Sequence, residues 1–572
     1  MLRFLAMKVG TADGYLPIRP GASAGNPRSA LEHAPMLRSE TPNPAWRTGL
    51  IITAIAGILC TSWAGCRRGD RSHDGKVVLD LWHVWGGEQA DAIDEVISKF
   101  EATHPGIAIN PVFTRNDLAT SQKFFTAVAA GAPPDVIFVD GPQVAPWAEW
   151  GALEPLDPYL AEAGIQAEDY FDPCWRQCSY DGKTWALTYC ADPNFGFVWN
   201  KQQFREAGLD PDDPPESIAE LDAMAVELTT RTEDGALESI GFIPWAQYGP
   251  ANSVFTWGWA FGGEFYDYET QTVTADDPDV VRSMAWMLEY ADRFDVRKIA
   301  ALEAGFGTQE QDPFYTGKMA MRCLHIGGIV DIGKYAPDLD WGVTFIPAPE
   351  VGGEERSSWV GGWCMSIPSG SPHPDEAFEL IRWLCHDPEG TTAVGEASGL
   401  FPGVEDSPYF EQVRGEPYYG AFLQIIQETR HQRPVMPSQA FLMRELTRAV
   451  DAARFGKIPP PSTVAIVAPS GPDWAVDVEQ GLAEIGGRLV ASPADADVTI
   501  VDATSALPTE MPEGSLVVAV TTQPVTPTGA DGYVLLPFDA ADLERWYVAK
   551  TALREASENT QRELDLILKG SE

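Results

Sequence analysis

From residue 77 onward, hydrophobic positions alternate between the two-residue period of strands and the longer period of helices. The apolar and branched residues of 77–82 predict a first strand, and apolar positions three and four apart predict a helix over 88–103. A strand at 107–112, a short helix at 121–130 and a strand at 135–140 follow, the last with a wholly apolar centre. This order of elements predicts a parallel α/β unit.

The pattern continues into a second set of elements after residue 190. It predicts strands near 195–199, 319–326, 341–346 and 363–367, and helices over 216–229, 279–293, 374–384 and 438–454. Residues 251–262 are dense in aromatic side chains, and their spacing fits either a strand or a helix. Because 572 residues are too many for one hydrophobic core, two or three domains are expected.

A charge-free apolar run at 49–60 precedes the first predicted strand. Arg38 and Arg47 stand before it, and small residues end it just before Cys66. The run is too short for a standard membrane-spanning helix, and its order of basic flank, apolar core and small residues is typical of a secretion signal. We therefore expect export to the periplasm or the cell surface, with an uncleaved membrane anchor as the alternative.

Residues 63–66, Trp-Ala-Gly-Cys, resemble the lipobox of bacterial lipoproteins, whose cysteine is lipidated and becomes the mature N-terminus. The resemblance implies lipidation of Cys66 and membrane attachment through that lipid, although Trp63 stands where the motif usually has leucine. Residues 1–35 are rich in Gly, Pro, Arg and Ala and lack periodicity. We expect them to be disordered, or to lie upstream of a true start at Met36.

Charge and composition exclude some partners. The chain has 83 acidic and 40 basic residues, a net charge of −43, which repels phosphate backbones and excludes nucleic acid as an expected partner. A solubilising acidic surface is the simplest explanation of that charge. The 19 tryptophans indicate either large cores or surfaces on which the rings of a ligand stack.

The cysteines lack the paired spacing of a zinc site. Cys174, Cys178 and Cys190 lie close together in the sequence, and an exported protein can form a disulfide among them. Small buried thiols are the alternative. We predict no metal and no cofactor.

Sequence motifs of catalysis are absent or misplaced. The one G-x-S-x-G match lies at 21–25 in the leader and follows no strand, and neither H-E-x-x-H nor G-x-x-x-x-G-K-[ST] occurs. We therefore predict no catalytic residue and no enzymatic activity. Two carboxylates in an aromatic cleft would suit a glycan-degrading enzyme, which stays open as an alternative. A ligand-sensing lipoprotein subunit of a signalling system is a second alternative.

Five segments occur in the order typical of one protein family. They are the helix-to-strand turn at 97–107, Ala-Ala-Gly to Pro-Asp-Val at 129–136, Phe-Val-Trp-Asn-Lys to Ala-Gly-Leu at 197–209, Gly-Lys-Met-Ala-Met at 317–321, and Gly-Gly-Trp to Asp-Glu-Ala at 361–377. Together they resemble the extracellular solute-binding proteins of ABC importers, in the sugar-binding family 1 type. The resemblance covers about residues 76–457.

This resemblance implies a fold, partners and a division of the chain. The fold is a two-lobed periplasmic-binding-protein-like fold of type II, with a hinge and a ligand in the cleft. The domains are a leader and signal at 1–66, interleaved lobes at 67–457 with crossovers near 190–200 and 310–345, an inserted module at 458–550 and a last helix at 551–572. The implied partners are a mono- or oligosaccharide and the permease subunits of an ABC importer. The implied assembly is a monomer.

Aromatic faces and carboxylates suit a sugar, because rings pack on its C–H faces while carboxylates and amides take its hydroxyls. The candidate contacts are Trp85, Glu88, Asp140, Tyr189, Asp192, Asn194, Trp257, Trp259 and Trp363, with Trp245 and Arg433 as further candidates. Trp85, Glu88 and Asp140 follow strand ends, where open α/β sheets place ligands. Trp363 follows two glycines, which allow the backbone to approach a ligand.

The acidic insertion at 458–550 has its own βαβ pattern. It predicts strands at 464–468, 498–502, 516–520 and 533–536 and a helix at 474–485. It resembles the flavodoxin-like receiver domains of two-component regulators, with Asp502 at the phosphoacceptor position and Thr521 or Thr522 at the hydroxyl position. Leu536 stands where that family has lysine, and the acidic pair after the first strand is missing, which argues against phosphotransfer. We expect an α/β module for contacts or spacing, and deleting 462–545 should leave ligand affinity intact.

Overall fold

The computed structural model describes residues 75–86, 88–115, 118–349, 358–459 and 540–571, together with five strands between residues 463 and 535. All of these residues belong to one unit, Asp70–Glu572. The leader and Cys66 lie outside the described residues, so the predicted signal and lipid anchor stay predictions.

Up to residue 344 the described chain alternates short strands with helices. In order the elements are β1 (Val77–His83), α1 (Glu88–Thr103), β2 (Ile107–Phe113), α2 (Leu118–Ala129), β3 (Val136–Asp140), α3 (Gly141–Glu149), α4 (Asp157–Ala163), α5 (Asp172–Gln177), β4 (Ser179–Tyr180), β5 (Lys183–Thr184), β6 (Leu187–Asn194), β7 (Gly196–Asn200), α6 (Lys201–Ala207), α7 (Ile218–Glu227), β8 (Thr230–Arg231), β9 (Leu237–Ser239), α8 (Pro250–Ala260), β10 (Tyr266–Asp267), β11 (Thr272–Val273), α9 (Pro278–Phe294), α10 (Val296–Glu303), β12 (Met321–Leu324), α11 (Gly327–Tyr335) and β13 (Trp341–Thr344). Short 3-10 turns lie at Ala167–Asp169 and Gln309–Gln311.

The remaining elements complete both lobes and the inserted module. They are β14 (Trp359–Ser366), α12 (Pro374–Cys385), α13 (Pro388–Ser398), α14 (Tyr409–Val413), α15 (Pro417–Glu428), β15 (His431–Gln432), α16 (Gln439–Arg454), β16 (Thr463–Val467), β17 (Arg488–Leu489), β18 (Val498–Asp502), β19 (Leu516–Thr521), β20 (Gly532–Leu535) and α17 (Ala540–Ser571). Each predicted strand and helix between 77 and 454 has a counterpart here. The ambiguous stretch at 251–262 is helical.

The first lobe contains a six-stranded mixed sheet. Its order is β15-β14-β3-β1-β2, and β6 pairs with β14 in addition. Strand β1 runs parallel to both β2 and β3, whereas β14 runs antiparallel to β3 and to β6. The carboxyl ends of β1 and β3 therefore lie at one edge of the sheet, the edge at which open α/β sheets bind ligands.

The second lobe is mostly helical around a three-stranded sheet. That sheet has the order β12-β7-β13, with both outer strands antiparallel to β7. Its core is dense in large side chains, among which Phe242, Phe255, Trp257 and Tyr290 are fully buried. This lobe holds many of the chain's aromatic residues as core, which accounts for part of the tryptophan count.

The chain passes between the lobes three times. It leaves the six-stranded sheet between β6 and β7, at the crossover expected near 190–200. It returns between β13 and β14, later than the expected region at 310–345, because β12 and β13 both pair with β7 in the second lobe. It crosses again after β15, since α16 places Leu442 and Leu446 in the core of the second lobe. Multiple crossings make the hinge of a two-lobed fold.

The inserted module contains a parallel sheet of five strands in the order β17-β16-β18-β19-β20. Four of the strands coincide with predicted ones, and β17 is additional. The helix expected at 474–485 lies outside the described residues.

Helix α17 begins at Ala540, well before the boundary expected at residue 551. Its first turns belong to the second lobe, because Leu543 is fully buried and Trp546 is 2% exposed in that core. Lys550 also binds the Asp276 carboxylate over 3.0 Å. The module therefore ends before residue 540, and α17 closes the second lobe.

All six cysteines of the described residues are buried free thiols, so the alternative of small buried thiols holds for Cys174, Cys178 and Cys190. The nearest thiol contact joins Cys178 to Cys364, with 3.3 Å between their sulfur atoms. Every helix in the described part of the chain is too short or too polar to cross a bilayer.

Candidate functional site

A cavity of about 480 Å³ lies where the chain crosses between the lobes. It is lined by residues from both lobes and from the crossover: Trp85, Gln89, Asp140, Cys190, Asp192, Asn194, Phe195, Tyr248, Asn252, His325, Gly327, Asp331, Trp359, Gly362, Trp363, Leu400 and Arg433. Its size suits a small organic ligand, and the lining mixes aromatic rings with polar groups.

Two tryptophans form an aromatic wall on the first-lobe side. The rings of Trp85 and Trp363 meet edge to face, with centroids 6.1 Å apart. Trp85 also contacts the edge of Phe138 at 6.5 Å. The Nε1 atom of Trp85 is buried and has no hydrogen-bond acceptor among the described residues. A ligand with apolar C–H faces and a free oxygen would satisfy both the rings and this donor.

A second aromatic group faces the cavity from the crossover. Tyr248 stacks on Phe195 with centroids 5.3 Å apart and nearly parallel planes, and His325 contacts the edge of Tyr248 at 5.0 Å. Tyr248 is 52% exposed although it is stacked, so much of its ring faces solvent. The cavity therefore has aromatic surfaces on two sides.

An ion pair joins the end of β3 to the segment that follows β15. Arg433 donates from Nη2 to Oδ1 of Asp140 over 2.7 Å, and its guanidinium lies over the ring of Trp359 at 5.2 Å. Trp359 is fixed in turn, because its indole N–H donates to the Thr256 hydroxyl over 3.0 Å. Arg433, which is the only arginine lining this cavity within the described part of the chain, is thus already paired with a carboxylate.

Asp192 supplies a second carboxylate. Its Oδ2 lies 3.5 Å from His325 Nδ1, and its Oδ1 accepts the backbone N–H of Ile326 over 3.3 Å. Burial raises the pKa of Asp192 above its ordinary value, and His325 and the Ile326 N–H oppose that shift. Asp192 is therefore an acceptor held partly away from water.

Gly362 is required by its neighbouring strand rather than by a ligand. Its φ of +106° is a region that favours glycine, and a Cβ atom there would lie 2.0 Å from the carbonyl oxygen of Cys190. A register shift between Trp363 and Cys364 interrupts the β14–β6 pairing at the same place. The extra residue at this shift is Tyr189 of β6, whereas the pairing of Trp363 with Asp140 of β3 is regular.

Five of the predicted contacts lie together on the cavity: Trp85, Asp140, Asp192, Asn194 and Trp363. The further candidate Arg433 joins them. The period of two along β6 places Asp192 and Asn194 on one face, which is the face that lines the cavity. The Glu88 side chain lies outside the described residues.

Three of the predicted contacts, Tyr189, Trp257 and Trp259, do not line the cavity, so these predictions were wrong. Tyr189 is the extra residue at the register shift of β6, is 3% exposed and packs against Phe138 at 4.8 Å in the first-lobe core. Trp257 and Trp259 lie on α8, which is buried on nearly every side. Trp257 donates its N–H to the Pro244 carbonyl, and Trp259 stacks on Phe255, so both are core residues.

The further candidate Trp245 is also core, since it is 2% exposed in the second lobe. The cavity residues that were not among the predicted contacts are Gln89, Cys190, Phe195, Tyr248, Asn252, His325, Gly327, Asp331, Trp359, Gly362 and Leu400. Gln89 lies next to the predicted contact Glu88, so its position in the sequence was a usable signal. Trp359 begins β14 and lies four residues before the predicted strand at 363–367. His325 and Asp331 come from a turn and a helix that no local pattern links to the cleft.

Among the described residues, no group of three or more His, Cys, Asp or Glu side chains is arranged to hold a metal ion. The cavity thus offers hydrogen bonds and ring faces, which are the contacts of reversible binding.

The family model for bacterial extracellular solute-binding proteins matches residues 86–386. This chain belongs to that family. Proteins of this family are carriers without enzymatic activity that bring solutes to ABC importers, so the solute-binding protein described here is a carrier and not a glycan-degrading enzyme. The family is extracellular, in agreement with the export expected from the leader.

Individual relatives share the lobes of this solute-binding protein. A maltotriose-binding protein of Pyrococcus abyssi is 25% identical over 66% of this chain and 77% of its own length. The sn-glycerol-3-phosphate-binding protein of Escherichia coli K12 is 25% identical over 47% of this chain, a match that spans 60% of that protein. The structure of CpMnBP1 with mannotriose bound is 29% identical, with a TM-score of 0.59 over 67% of this chain and 96% of that one.

Proposed function

We propose that this solute-binding protein captures a neutral sugar, a mono- or oligosaccharide, in the cavity between its lobes and delivers it to the permease subunits of an ABC importer. The observation that carries the proposal is the cavity itself, where the Trp85–Trp363 wall faces the carboxylates of Asp140 and Asp192. Rings pack on the C–H faces of a sugar while carboxylates accept its hydroxyls. The relatives named for maltotriose and bound to mannotriose support this ligand class.

The charge of the cavity favours a neutral sugar over a sugar phosphate. Asp140, Asp192 and Asp331 line it, whereas its only arginine among the described residues, Arg433, is already bound to Asp140. A phosphate would have to displace that carboxylate or lie beside the other two, at an electrostatic cost. The likeness to a glycerol-phosphate-binding protein therefore does not extend to its ligand.

We propose as ligand contacts the five predicted residues that meet on the cavity, Trp85, Asp140, Asp192, Asn194 and Trp363, with Tyr248 as a second stacking face. The two tryptophans would form one wall against a sugar ring, and Tyr248 would receive a second ring near the opening. Glu88 stays a sequence-based candidate for the same edge.

Membrane attachment is part of the proposal. The apolar run at 49–60 and the Ala-Gly-Cys motif support lipidation at Cys66. Metabolic labelling with an alkyne fatty acid tests it: the wild-type chain should carry the label and C66A should not, whereas label retained by C66A would remove the anchor from the proposal.

We propose in addition that the inserted module is a degenerate receiver-like domain that serves contacts or spacing. The parallel strand order β17-β16-β18-β19-β20 supports this, because it is the flavodoxin-like order of 2-1-3-4-5 when strands are counted along the module. Asp502 ends β18, the third strand of the module. Phosphotransfer is not proposed, because the lysine and acidic pair of receiver domains are missing.

Titration calorimetry with maltotriose, mannotriose, glucose and sn-glycerol 3-phosphate tests the ligand class. We expect saturable binding of at least one neutral sugar, a loss of at least tenfold in W363A, and no binding of the phosphate. The control is W150A, which removes a tryptophan that is 48% exposed and lies outside the cavity. Tight binding of the phosphate alone, or equal affinity in W363A and the wild type, would contradict the proposal.

A further inference from the structure

A second cavity, of about 330 Å³, lies entirely within the second lobe. Helices α7, α9 and α17 and the end of α8 form its walls. None of its lining residues belongs to the cavity between the lobes. It is therefore a separate concave surface to which the carrier function assigns no role.

Aromatic rings form one side of this cavity. Phe261, Trp286 and Trp546 line it, and the rings of Phe261 and Trp286 are 5.8 Å apart. Trp286 is fixed in place, because its indole N–H donates to both oxygens of Asp222 over 3.0 and 3.3 Å. Trp546 is 2% exposed, yet its Nε1 has no hydrogen-bond acceptor among the described residues. A buried donor without an acceptor is costly unless a ligand or water supplies one.

The other side is polar and carries both signs of charge. Asp222, Glu289 and Asp542 contribute carboxylates, and Arg282 and Arg545 contribute guanidinium groups. Burial raises the pKa of both Asp222 and Glu289, and the Arg545 charge opposes the shift of Glu289.

These polar groups are positioned before any ligand arrives. Tyr290 donates its hydroxyl to Asp222 over 2.7 Å, in addition to the Trp286 bond. Arg545 binds Asp542 over 2.6 Å. Arg282 binds Asp279 over 2.7 Å while its guanidinium lies over Phe261 at 5.4 Å. Fixed donors and acceptors lower the entropy cost of binding a partner.

The mixture of charges selects the chemical class of ligand. An anion would meet three carboxylates, and a cation would meet two guanidinium groups. A neutral molecule with several hydroxyls avoids both repulsions, because each hydroxyl donates to a carboxylate and accepts from a guanidinium or from Trp546. Its C–H faces would pack on the aromatic side.

We propose that this cavity is a second ligand site, for a neutral polyhydroxy compound such as a sugar ring or polyol, independent of the site between the lobes. Asp542, Arg545 and Trp546 lie on the first turns of α17, directly after the inserted module. The site is therefore built only when α17 is packed on the second lobe, and its ligand stabilises that packing.

The test uses the full mature chain and four probes: glucose, maltotriose, mannotriose and glycerol, followed by saturation-transfer NMR and calorimetry. The W363A variant weakens binding between the lobes, so that binding at the second site can be measured. In that background, A219W fills the second cavity from its exposed mouth, since Ala219 is a solvent-facing lining residue. The matched control is A223W, which places the same ring at an exposed position of α7 outside the cavity.

We expect W363A to retain saturable binding of at least one probe, and W363A/A219W to lose at least tenfold of that affinity. W363A/A223W should keep it, and W363A/W546F should lose about threefold, because only the N–H donor is removed. Absence of any probe binding to W363A, or equal binding in the A219W and A223W backgrounds, would overturn the second site. Failure of the proposed carrier function is a different result, namely that wild-type binding is insensitive to W363A.

Discussion

Arg433 donates a hydrogen bond to Asp140 at the wall of the cavity between the lobes, over 2.7 Å. Both side chains are largely withdrawn from water, with 12% of Arg433 and 21% of Asp140 exposed. The pair joins the last segment of the first-lobe sheet to the end of β3, and the Trp359 ring lies under the guanidinium. The contact thus holds this part of the cavity wall in place and also neutralises the Asp140 carboxylate.

Replacing Arg433 with methionine should destabilise the protein and weaken ligand binding. Removing one partner leaves Asp140 as an uncompensated, mostly buried charge, so the free energy of unfolding should fall by about 3 kcal/mol. Urea denaturation monitored by tryptophan fluorescence measures this. The control is R414M, because the Arg414–Glu411 pair is exposed and its loss should cost less than about 1 kcal/mol. Equal effects of the two substitutions would contradict the role given to Arg433.

Replacing Asp192 with asparagine should increase stability while weakening binding. The pKa of Asp192 is raised on folding, so the folded protein holds this proton more tightly than the unfolded chain, and its ionisation is destabilising at neutral pH. We expect D192N to gain about 1 kcal/mol in the free energy of unfolding at pH 7. Ligand affinity should fall about tenfold with the loss of a charged acceptor.

The stability difference between D192N and the wild type should depend on pH. Since protonation removes the penalty in the wild type, the advantage of D192N should shrink as the pH falls through the raised pKa toward the ordinary value of 3.8. The control is D212N, since Lys201 lowers the pKa of the exposed Asp212 carboxyl and its replacement should bring no gain. If the free energies of unfolding of the wild type and D192N differed by the same amount at every pH, this prediction would be wrong.

Replacing Gly362 with alanine should be strongly destabilising. The positive φ and the approach to the Cys190 carbonyl leave no room for a Cβ atom, so the free energy of unfolding should fall by about 2–4 kcal/mol. Trp363 would move with the strand, so ligand affinity should fall as well. Thermal unfolding and calorimetry measure the two effects.

Gly333 provides the matched control for that substitution. It lies within α11 with no atom within 4 Å of an added Cβ and with an ordinary φ. G333A should therefore raise the free energy of unfolding by about 0.5–1 kcal/mol, through better helix propensity. A G362A protein as stable as the wild type would mean that β14 tolerates a Cβ atom at position 362, which would contradict this prediction.

Deleting the inserted module should leave ligand binding intact if the cut is placed correctly. Replacing residues 463–535 with a flexible linker of about ten residues retains α17, and we expect an affinity within about twofold of the wild type. Calorimetry with the sugar that binds the wild-type protein measures it. Loss of binding by this variant would give the module a direct role in the site.

A wider deletion serves as the contrast. Removal of 462–545 also takes Leu543 out of the second-lobe core, where it is fully buried. We expect that variant to lose about 3 kcal/mol or more, because a large core side chain disappears. The expectation that ligand affinity survives a deletion of 462–545 is therefore restated here for a deletion that ends before residue 540.

The elements of both lobes were predictable because each carries a local signal. Residues 77–82 alternate as a strand, and the helix at 374–385 begins with Pro-Asp-Glu, as an N-terminal turn favours. Trp85 and Asp140 were predictable as cavity residues for a similar reason, since the ends of parallel strands meet at one edge. The prediction for Tyr189 was wrong because a register shift in the β6–β14 pairing places its ring against Phe138, and no local sequence pattern indicates that irregularity.

The amino-acid sequence by itself determined the order of strands and helices and the family to which the lobes belong. These features rest on periodicity and short motifs, which are local. Only the tertiary structure decided that Trp257 and Trp259 are core, that Arg433 pairs with Asp140, and that His325 faces the cleft. Those relationships depend on residues far apart in the chain, and tertiary packing, which no local pattern indicates, sets them.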